Sequence, residues 1–479
     1  MKRYEDPAWT ASMAVKLDYN FAMADFVGEH GLRPEELGAL DSRISAVHQE
    51  LEKSRREGRL AFYELPYQTD IVREIRQVAK PFLEWCWEFI VLGIGGSALG
   101  AKALHQALCH PQHNRLTMGR RQHKAGLWVL DNIDPDYMYG LLDGLELRRA
   151  VVNVISKSGS TAETLAQFMF LFRILKARVG EEKARQRFVI TTDPEKGTLR
   201  RLAEKEGFLT MSVPPAVGGR FSVLTTVGLL PAAMTGIDIE ELLAGARFMD
   251  QRLKQAGLQN NLAYTLAALY YLFATAKARP ILVLMPYASS LAFFADWFCQ
   301  LWAESLGKKV DLDGNPVNAG STPVRALGVT DQHSQLQLYM EGPHDKLITF
   351  FKVEKFNHHL PLNPQFPGYE NMDYLGESSL NELINTEYEA TAFNLKEAKR
   401  PNITLRIPEI NAFTMGQLIY LFEVVTVAAG GLFRVNPLDQ PGVEGGKNTT
   451  YGLMNRPGYE KYRREFDAAP PKLGKYLIT

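Results

Sequence analysis

The chain has 479 residues, 46% of them hydrophobic and 23% charged, which is an ordinary globular balance. At about 150 residues per domain, this length implies two or three domains, each able to bury a core of its own. Lysine plus arginine and aspartate plus glutamate both number 54, so the net charge is zero, and no basic excess points to nucleic acid or an anionic membrane. The three cysteines, Cys86, Cys109 and Cys299, form no CxxC pair and are too sparse for a disulfide framework, which favours a reducing compartment.

In chain order, residues 1–60 are charged and helix-like, clearest in LDSRISAVHQELEKSRREGR, and read as a helical N-terminal extension. They contain no continuous apolar h-region, so the expected location is cytoplasmic. Residues 88–96 (EFIVLGIGG) begin a different pattern, in which short apolar runs recur at 127–132, 151–156, 187–193 and 208–213, with helical stretches between them. Continuous apolar strands alternating with helices predict parallel βαβ units covered on both faces. The Pro/Gly loop PPAVGGRFS (214–222) precedes a domain boundary near 235, and a second α/β pattern starts at 280–286. A helix is predicted over 290–306, strands near 347–353 and 403–407, and a long apolar helix capped by Asn411 and ending at Gly430-Gly431. Residues 262–276 are too short to cross a bilayer, and 412–433 carry Gln417, Glu423 and three glycines, so a buried helix is the better reading. The tail after Gly452 is polar and helical.

Six segments bear on chemistry. Residues 151–164 (VVNVISKSGSTAET) read as strand, loop and helix. The loop offers the hydroxyls of Ser156, Ser158, Ser160 and Thr161, the Lys157 ammonium and a flexible Gly159. Unpaired N–H groups at the helix start complete a cradle suited to a phosphate, and ligands of open α/β sheets bind at the carboxyl ends of the strands. The segment GIGGSA (93–98) meets the loose dinucleotide pattern but lacks the acidic residue about 20 positions on; its glycines fit close approach of a sugar better. Gly219-Arg220-Phe221-Ser222 presents a guanidinium that can meet developing negative charge without losing its proton. Gln300 and Glu304 share one face of the 290–306 helix among Phe293, Phe294, Trp297, Phe298, Leu301 and Trp302. A carboxylate desolvated by those rings would hold its proton more tightly, which suits a general base. His333, in TDQHSQLQLYMEG, offers a proton relay, and Lys447 follows two glycines in NPLDQPGVEGGK, which narrowly misses a P-loop. No HExxH or tight His/Asp/Glu cluster is visible, so neither a metal nor a cofactor is expected.

In this order and spacing, GIGGSALG, ISKSGSTAET, GGRFS, AESLGK, TDQHSQLQLYMEGP and NPLDQPGVEGGK resemble the glucose-6-phosphate isomerase (phosphoglucose isomerase) family in its bacterial form, over roughly residues 85–450. The resemblance implies two sugar-isomerase (SIS)-like three-layer α/β/α domains with parallel sheets. Their bounds would be 61–235 and 236–452, with helical extensions at 1–60 and 453–479. It implies reversible conversion of glucose 6-phosphate to fructose 6-phosphate through a cis-enediolate, a step of glycolysis and gluconeogenesis. It also implies that Glu304 moves the proton, Arg220 stabilises the enediolate, and His333 and Lys447 assist at the ring. Ser156, Lys157, Ser158, Ser160 and Thr161 would hold phosphate. Gly96, Ser97, Gln300 and Gln440 would contact the sugar, and His333 would reach across a homodimer interface. The phosphate loop matches the shorter bacterial version, and the glycines before Lys447 replace a bulkier residue of many members. Two alternatives stay open at this stage: an isomerase of another sugar phosphate, and a phosphosugar-sensing regulator.

Overall fold

The computed structural model describes residues 2–478. The labelled elements, in chain order, begin with β1 (Lys16–Asp18), α1 (Asp41–Arg56), β2 (Glu88–Leu92), α2 (Leu99–Leu108), β3 (Gly126–Leu130), β4 (Ala150–Ile155) and α3 (Ala162–Val179). They continue with β5 (Phe188–Thr192), β6 (Leu209–Ser212), α4 (Ile239–Arg252), α5 (Leu262–Thr275), β7 (Ile281–Pro286) and α6 (Ala292–Leu306). Next come β8 (Lys308–Val310), β9 (Pro316–Ala319), β10 (Thr322–Arg325), β11 (Lys346–Val353), α7 (Leu380–Glu397) and β12 (Asn402–Ile407). The last are α8 (Ala412–Phe433), α9 (Glu444–Leu453) and α10 (Glu460–Asp467).

Two five-stranded sheets organise the chain, in the orders β3-β2-β4-β5-β6 and β1-β12-β11-β7-β10. The first is wholly parallel, and in the second only β1 runs antiparallel. The apolar runs are continuous because each strand serves two faces. Phe89, Val91, Val151 and Val189 point into one core while Ile90, Leu92, Val152 and Ile190 point into another. The second sheet repeats this arrangement: Leu282, Leu284 and Phe351 face inward, and Val283, Met285 and Phe350 face outward. The inward faces of both sheets belong to a single core cluster, which also holds α8. The two halves are therefore cemented through shared apolar volume rather than joined by a linker.

Helix α8 is apolar on all sides because it lies inside this core, with every residue buried except Gly431 and Phe433. Its length would suffice to cross a membrane, yet its most apolar stretch is fully buried within the protein. Gln417 is satisfied by donating to Met13 O (2.8 Å) and accepting from Val15 N (3.2 Å). Glu423 is completely buried, and neither carboxylate oxygen has a partner among the described residues. Burial pushes its pKa well above the usual carboxylate range.

Three expectations change. The first sixty residues are not wholly helical: β1 completes the edge of the second sheet, Lys16 opposite Arg406, and Leu17 packs on the core. Helix α8 does not stop at Gly430-Gly431 but runs to Phe433, with Arg434 in the left-handed conformation as its cap. The glycines are there for clearance instead, since a Cβ on Gly431 would lie 2.8 Å from Val47 and one on Gly430 would lie 3.0 Å from Pro437. Strands β8, β9 and β10 were not predicted. β10 is a four-residue edge strand containing Pro323, and proline is tolerated only where one side of a strand is unpaired.

Candidate active site

Arg220 lies in the short turn Gly219–Phe221 after β6 and is 3% exposed. Its guanidinium is shared among five acceptors. Nε donates to Ser305 Oγ (2.7 Å), Nη1 to Gln440 Oε1 (2.8 Å) and Glu304 Oε2 (3.4 Å), and Nη2 to Pro437 O (2.6 Å) and Asp439 O (3.0 Å). One side chain thus binds together the first half of the chain, helix α6 and the 436–440 segment. Burial pulls this guanidinium below its ordinary pKa, and the Glu304 and Asp439 carboxylates pull it back up. It stays charged at neutral pH.

Glu304 sits in the last turn of α6, where its other oxygen accepts from Gln300 Nε2 at 3.0 Å. The sequence reading placed this carboxylate among aromatic rings; the fold does not. Phe294, Trp297, Phe298, Leu301 and Trp302 are buried on the core faces of α6, while Asp296, Gln300 and Glu304 fall on its partly open stripe. The Glu304 side chain is 34% exposed and faces a guanidinium.

The glycines of the 93–97 segment make this assembly possible. A Cβ on Gly96 would lie 2.2 Å from Gly219 O, so the turn Gly95–Ser97 can rest on the Arg220 turn only without a side chain there. Gly95 has φ +57, and a Cβ on it would meet Gln300 Nε2 at 2.7 Å. Ser222 Oγ donates to Gly96 O at 3.3 Å, fastening the two turns together.

The hydroxyls of the 156–161 loop converge. Ser156 Oγ lies 2.9 Å from Thr161 Oγ1 and 3.5 Å from Ser158 Oγ, and Ser160 donates to Ser158 Oγ from both its N–H (3.3 Å) and its hydroxyl (3.2 Å). Gly159 takes the positive φ that turns the loop into α3. Lys157 is placed differently from expectation: its ammonium donates to Pro215 O (2.6 Å) and Val217 O (2.8 Å), and burial lowers its pKa. In this arrangement it ties the hydroxyl loop to the 214–222 loop that carries Arg220.

Lys447 lies on α9 rather than in a turn, half-exposed, and donates to Glu444 Oε1 at 2.9 Å. Tyr451, one turn further on, donates to Ser160 O at 3.3 Å and so brings α9 against the hydroxyl loop. His333 ends the turn Thr330–His333, is exposed, and joins none of these hydrogen bonds.

Sequence reasoning missed two participants. Tyr451 gives no local signal. Lys308 is 7% exposed and donates to Glu304 O (2.6 Å), Ser305 O (2.9 Å) and Asp439 O (2.9 Å). It caps the end of α6 with positive charge, as a helix C-terminus favours. Burial lowers its pKa, an effect opposed by Asp439. The only hint in the sequence is a lysine immediately after the helix.

The arrangement offers a carboxylate beside a fixed cation and, nearby, a ring of hydroxyls at a helix start, which suits proton transfer next to a carbonyl on an anionic substrate. The phosphoglucose isomerase family model matches residues 84–473, further towards the C-terminus than the sequence motifs alone reach. Glucose-6-phosphate isomerase of Carboxydothermus hydrogenoformans is 44% identical over 454 residues, covering 95% of this chain and 97% of that protein. Its counterpart in Rubrobacter xylanophilus is 44% identical over 434 residues, covering 90% and 96%. Among solved structures, a hypothetical protein of Thermus thermophilus superposes with a TM-score of 0.82 at 37% identity, covering 92% of this chain and all of that one. A glucose-6-phosphate isomerase of Chlamydia trachomatis shares the fold at a TM-score of 0.72 and 21% identity, covering 88% of each chain.

Proposed function

The chain belongs to the phosphoglucose isomerase family, and from that membership we propose how its side chains divide the work. It is an aldose–ketose isomerase that interconverts glucose 6-phosphate and fructose 6-phosphate. Glu304 removes the C2 proton of the open-chain sugar, the electron pair forms the cis-enediolate, and the same carboxyl returns the proton to C1. Arg220 meets the charge that grows on the enediolate oxygen. The observation that carries this assignment is the Arg220–Glu304 pair, a base 3.4 Å from a cation whose other donors are all fixed by protein acceptors.

The hydroxyls of Ser156, Ser158, Ser160 and Thr161 and the N–H groups at the start of α3 take the phosphate. The backbone at Gly96 and Ser97 faces the sugar, with Gln300 and Gln440 orienting its oxygens. Lys447 turns from Glu444 to the ring oxygen. The exposure of His333 fits a residue that completes the site of a second copy in a homodimer. The three free thiols fit a cytoplasmic location.

Two measurements test the reading. Glu304→Gln in deuterated water abolishes both isomerisation and C2–H exchange; persistence of both near the wild-type rate removes the base assignment. Mixing and refolding two inactive variants, Glu304→Gln and His333→Ala, restores about a quarter of wild-type activity, because half of the random dimers carry one intact composite site. No recovery places His333 in its own protomer's site.

A further inference from the structure

Away from this site, α2 ends in a group the sequence pattern conceals. His105 lies in its last turn, Cys109 caps it, and His113 sits in the turn His113–Arg115 that follows. The spacing is H-x3-C-x3-H, and the first two residues stack on one helix face. One ring nitrogen of each histidine and Cys109 Sγ lie within 4.8 Å of one another, the one such group of three among the described residues. The sequence expectation concerned His/Asp/Glu clusters and does not extend to this His/Cys/His group, whose third donor is supplied by a loop rather than by helix periodicity.

Two further observations concern the ring nitrogens. His105 Nε2 is buried with no hydrogen-bond partner among the described residues, which is costly for a polar atom. His113 is 6% exposed, and its Nε2 lies 2.9 Å from Ala125 O, just before β3. That contact fixes Nε2 as the protonated nitrogen and leaves the Nδ1 lone pair free, the second-shell arrangement of a metal-ligating imidazole. Cys109, though neither histidine, also borders a cavity of about 760 Å³ lined by Gln106, Gly236 and Asp238, which opens the thiol side of the group to solvent.

We propose that His105, Cys109 and His113 form a binding site for a borderline-to-soft cation of the Zn²⁺ class. Two imidazoles and a thiolate are the donor set such ions prefer over Mg²⁺ or Ca²⁺. Tetrahedral Zn²⁺ requires donor separations of roughly 3.3–3.8 Å, so side-chain shifts of about 1 Å complete the set. Binding breaks the Cys109 S–H bond, forms the sulfur–metal bond and delivers one proton to solvent, with no change of oxidation state. The ion would fasten the loop before β3 to the far end of α2. That end is about 15 Å along the helix from the Gly95–Ser97 turn. The site is therefore structural and stands apart from the isomerase chemistry.

The test uses the full-length protein stripped with a chelator and dialysed. Titration with Co²⁺ alone is expected to release one proton per ion bound and to develop a sulfur-to-cobalt charge-transfer band saturating at one ion per chain, and Zn²⁺ to displace the cobalt with no further proton release. Cys109→Ser should abolish the band, and His105→Ala should weaken Zn²⁺ binding by more than the roughly 10- to 100-fold cost of losing an outer-shell partner. Cys299→Ser should change nothing. Alkylation of wild-type protein, read by mass spectrometry, needs no variant: Zn²⁺ should protect Cys109 and leave Cys299 unaffected. Absence of the band, or equal alkylation of Cys109 with and without Zn²⁺, overturns the proposal.

Discussion

Replacing Arg220 by lysine separates two things the guanidinium supplies: charge and a fork of directed donors. The wild-type side chain reaches Ser305 Oγ, Glu304 Oε2, Gln440 Oε1, Pro437 O and Asp439 O at once. An ammonium has three donors, so at least two of these five acceptors lose theirs. Hydrogen bonds to charged groups contribute about 1.5–3 kcal/mol each, giving a local loss of roughly 3–6 kcal/mol. Relaxation of the 436–440 segment and entry of water recover part of it. If about 3 kcal/mol reaches the transition state, kcat falls about 150-fold. The assay is coupled turnover of fructose 6-phosphate with kcat and KM fitted separately, alongside circular dichroism to confirm the fold. An Arg220→Lys variant within about threefold of wild-type kcat would refute the reasoning, because net charge alone would then suffice.

Lys308→Met removes the ammonium from the carbonyls of Glu304, Ser305 and Asp439 while keeping the aliphatic stem. Here kcat should fall about tenfold with KM nearly unchanged, since the lysine aligns the base without touching substrate. Gly96→Ala forces a Cβ to within 2.2 Å of Gly219 O. It should cut kcat/KM about 100-fold and destabilise the fold by about 1–3 kcal/mol, read by steady-state kinetics and thermal melts. Glu423 predicts a pH effect of definite sign. Its folded pKa is raised above the unfolded value, so its contribution to stability is full in acid, below the unfolded pKa, and is lost as pH rises towards the folded pKa. Glu423→Gln should therefore melt progressively higher than wild type from about pH 5 to about pH 8, the gap growing by up to about 1.4 kcal/mol per unit. A constant gap in melting temperature across that range counts against a buried, protonated Glu423.

The parallel strands were legible because burial on both faces writes itself as an unbroken apolar run, as in VVNVIS and PILVLMP. β1 and β10 were not, because Lys16–Asp18 and Thr322–Arg325 are short, half-polar edge strands stabilised by their neighbours. The phosphate-loop hydroxyls and Arg220 could be singled out from local composition. What local composition could not supply was orientation. Aromatic residues near Glu304 in sequence turned out to pack on other faces of α6, and Lys157 points at carbonyls sixty residues away. Composition suggests ligand clearance at the glycines before Ser97, and the fold adds a second demand there, since Gly96 also clears the backbone of Gly219. Tyr451 and Lys308 act on partners distant in sequence or on main-chain oxygens, and neither relation leaves a pattern along the chain.

The pairing of β1 with β12 has a consequence for how the molecule is made. Strands β2 to β6 are contiguous in sequence, so the first sheet can assemble while the remainder of the chain is still being synthesised. The second sheet cannot close in the same way, because β1 precedes every other strand of its sheet in the chain and its partner β12 follows them all. Through that interval the opening segment, with Met13 and Val15 waiting for Gln417, holds unpaired main-chain groups that only the finished C-terminal half can satisfy. A chain lacking α8 would leave Met13 O and Val15 N–H without the Gln417 side chain that satisfies both in the folded protein.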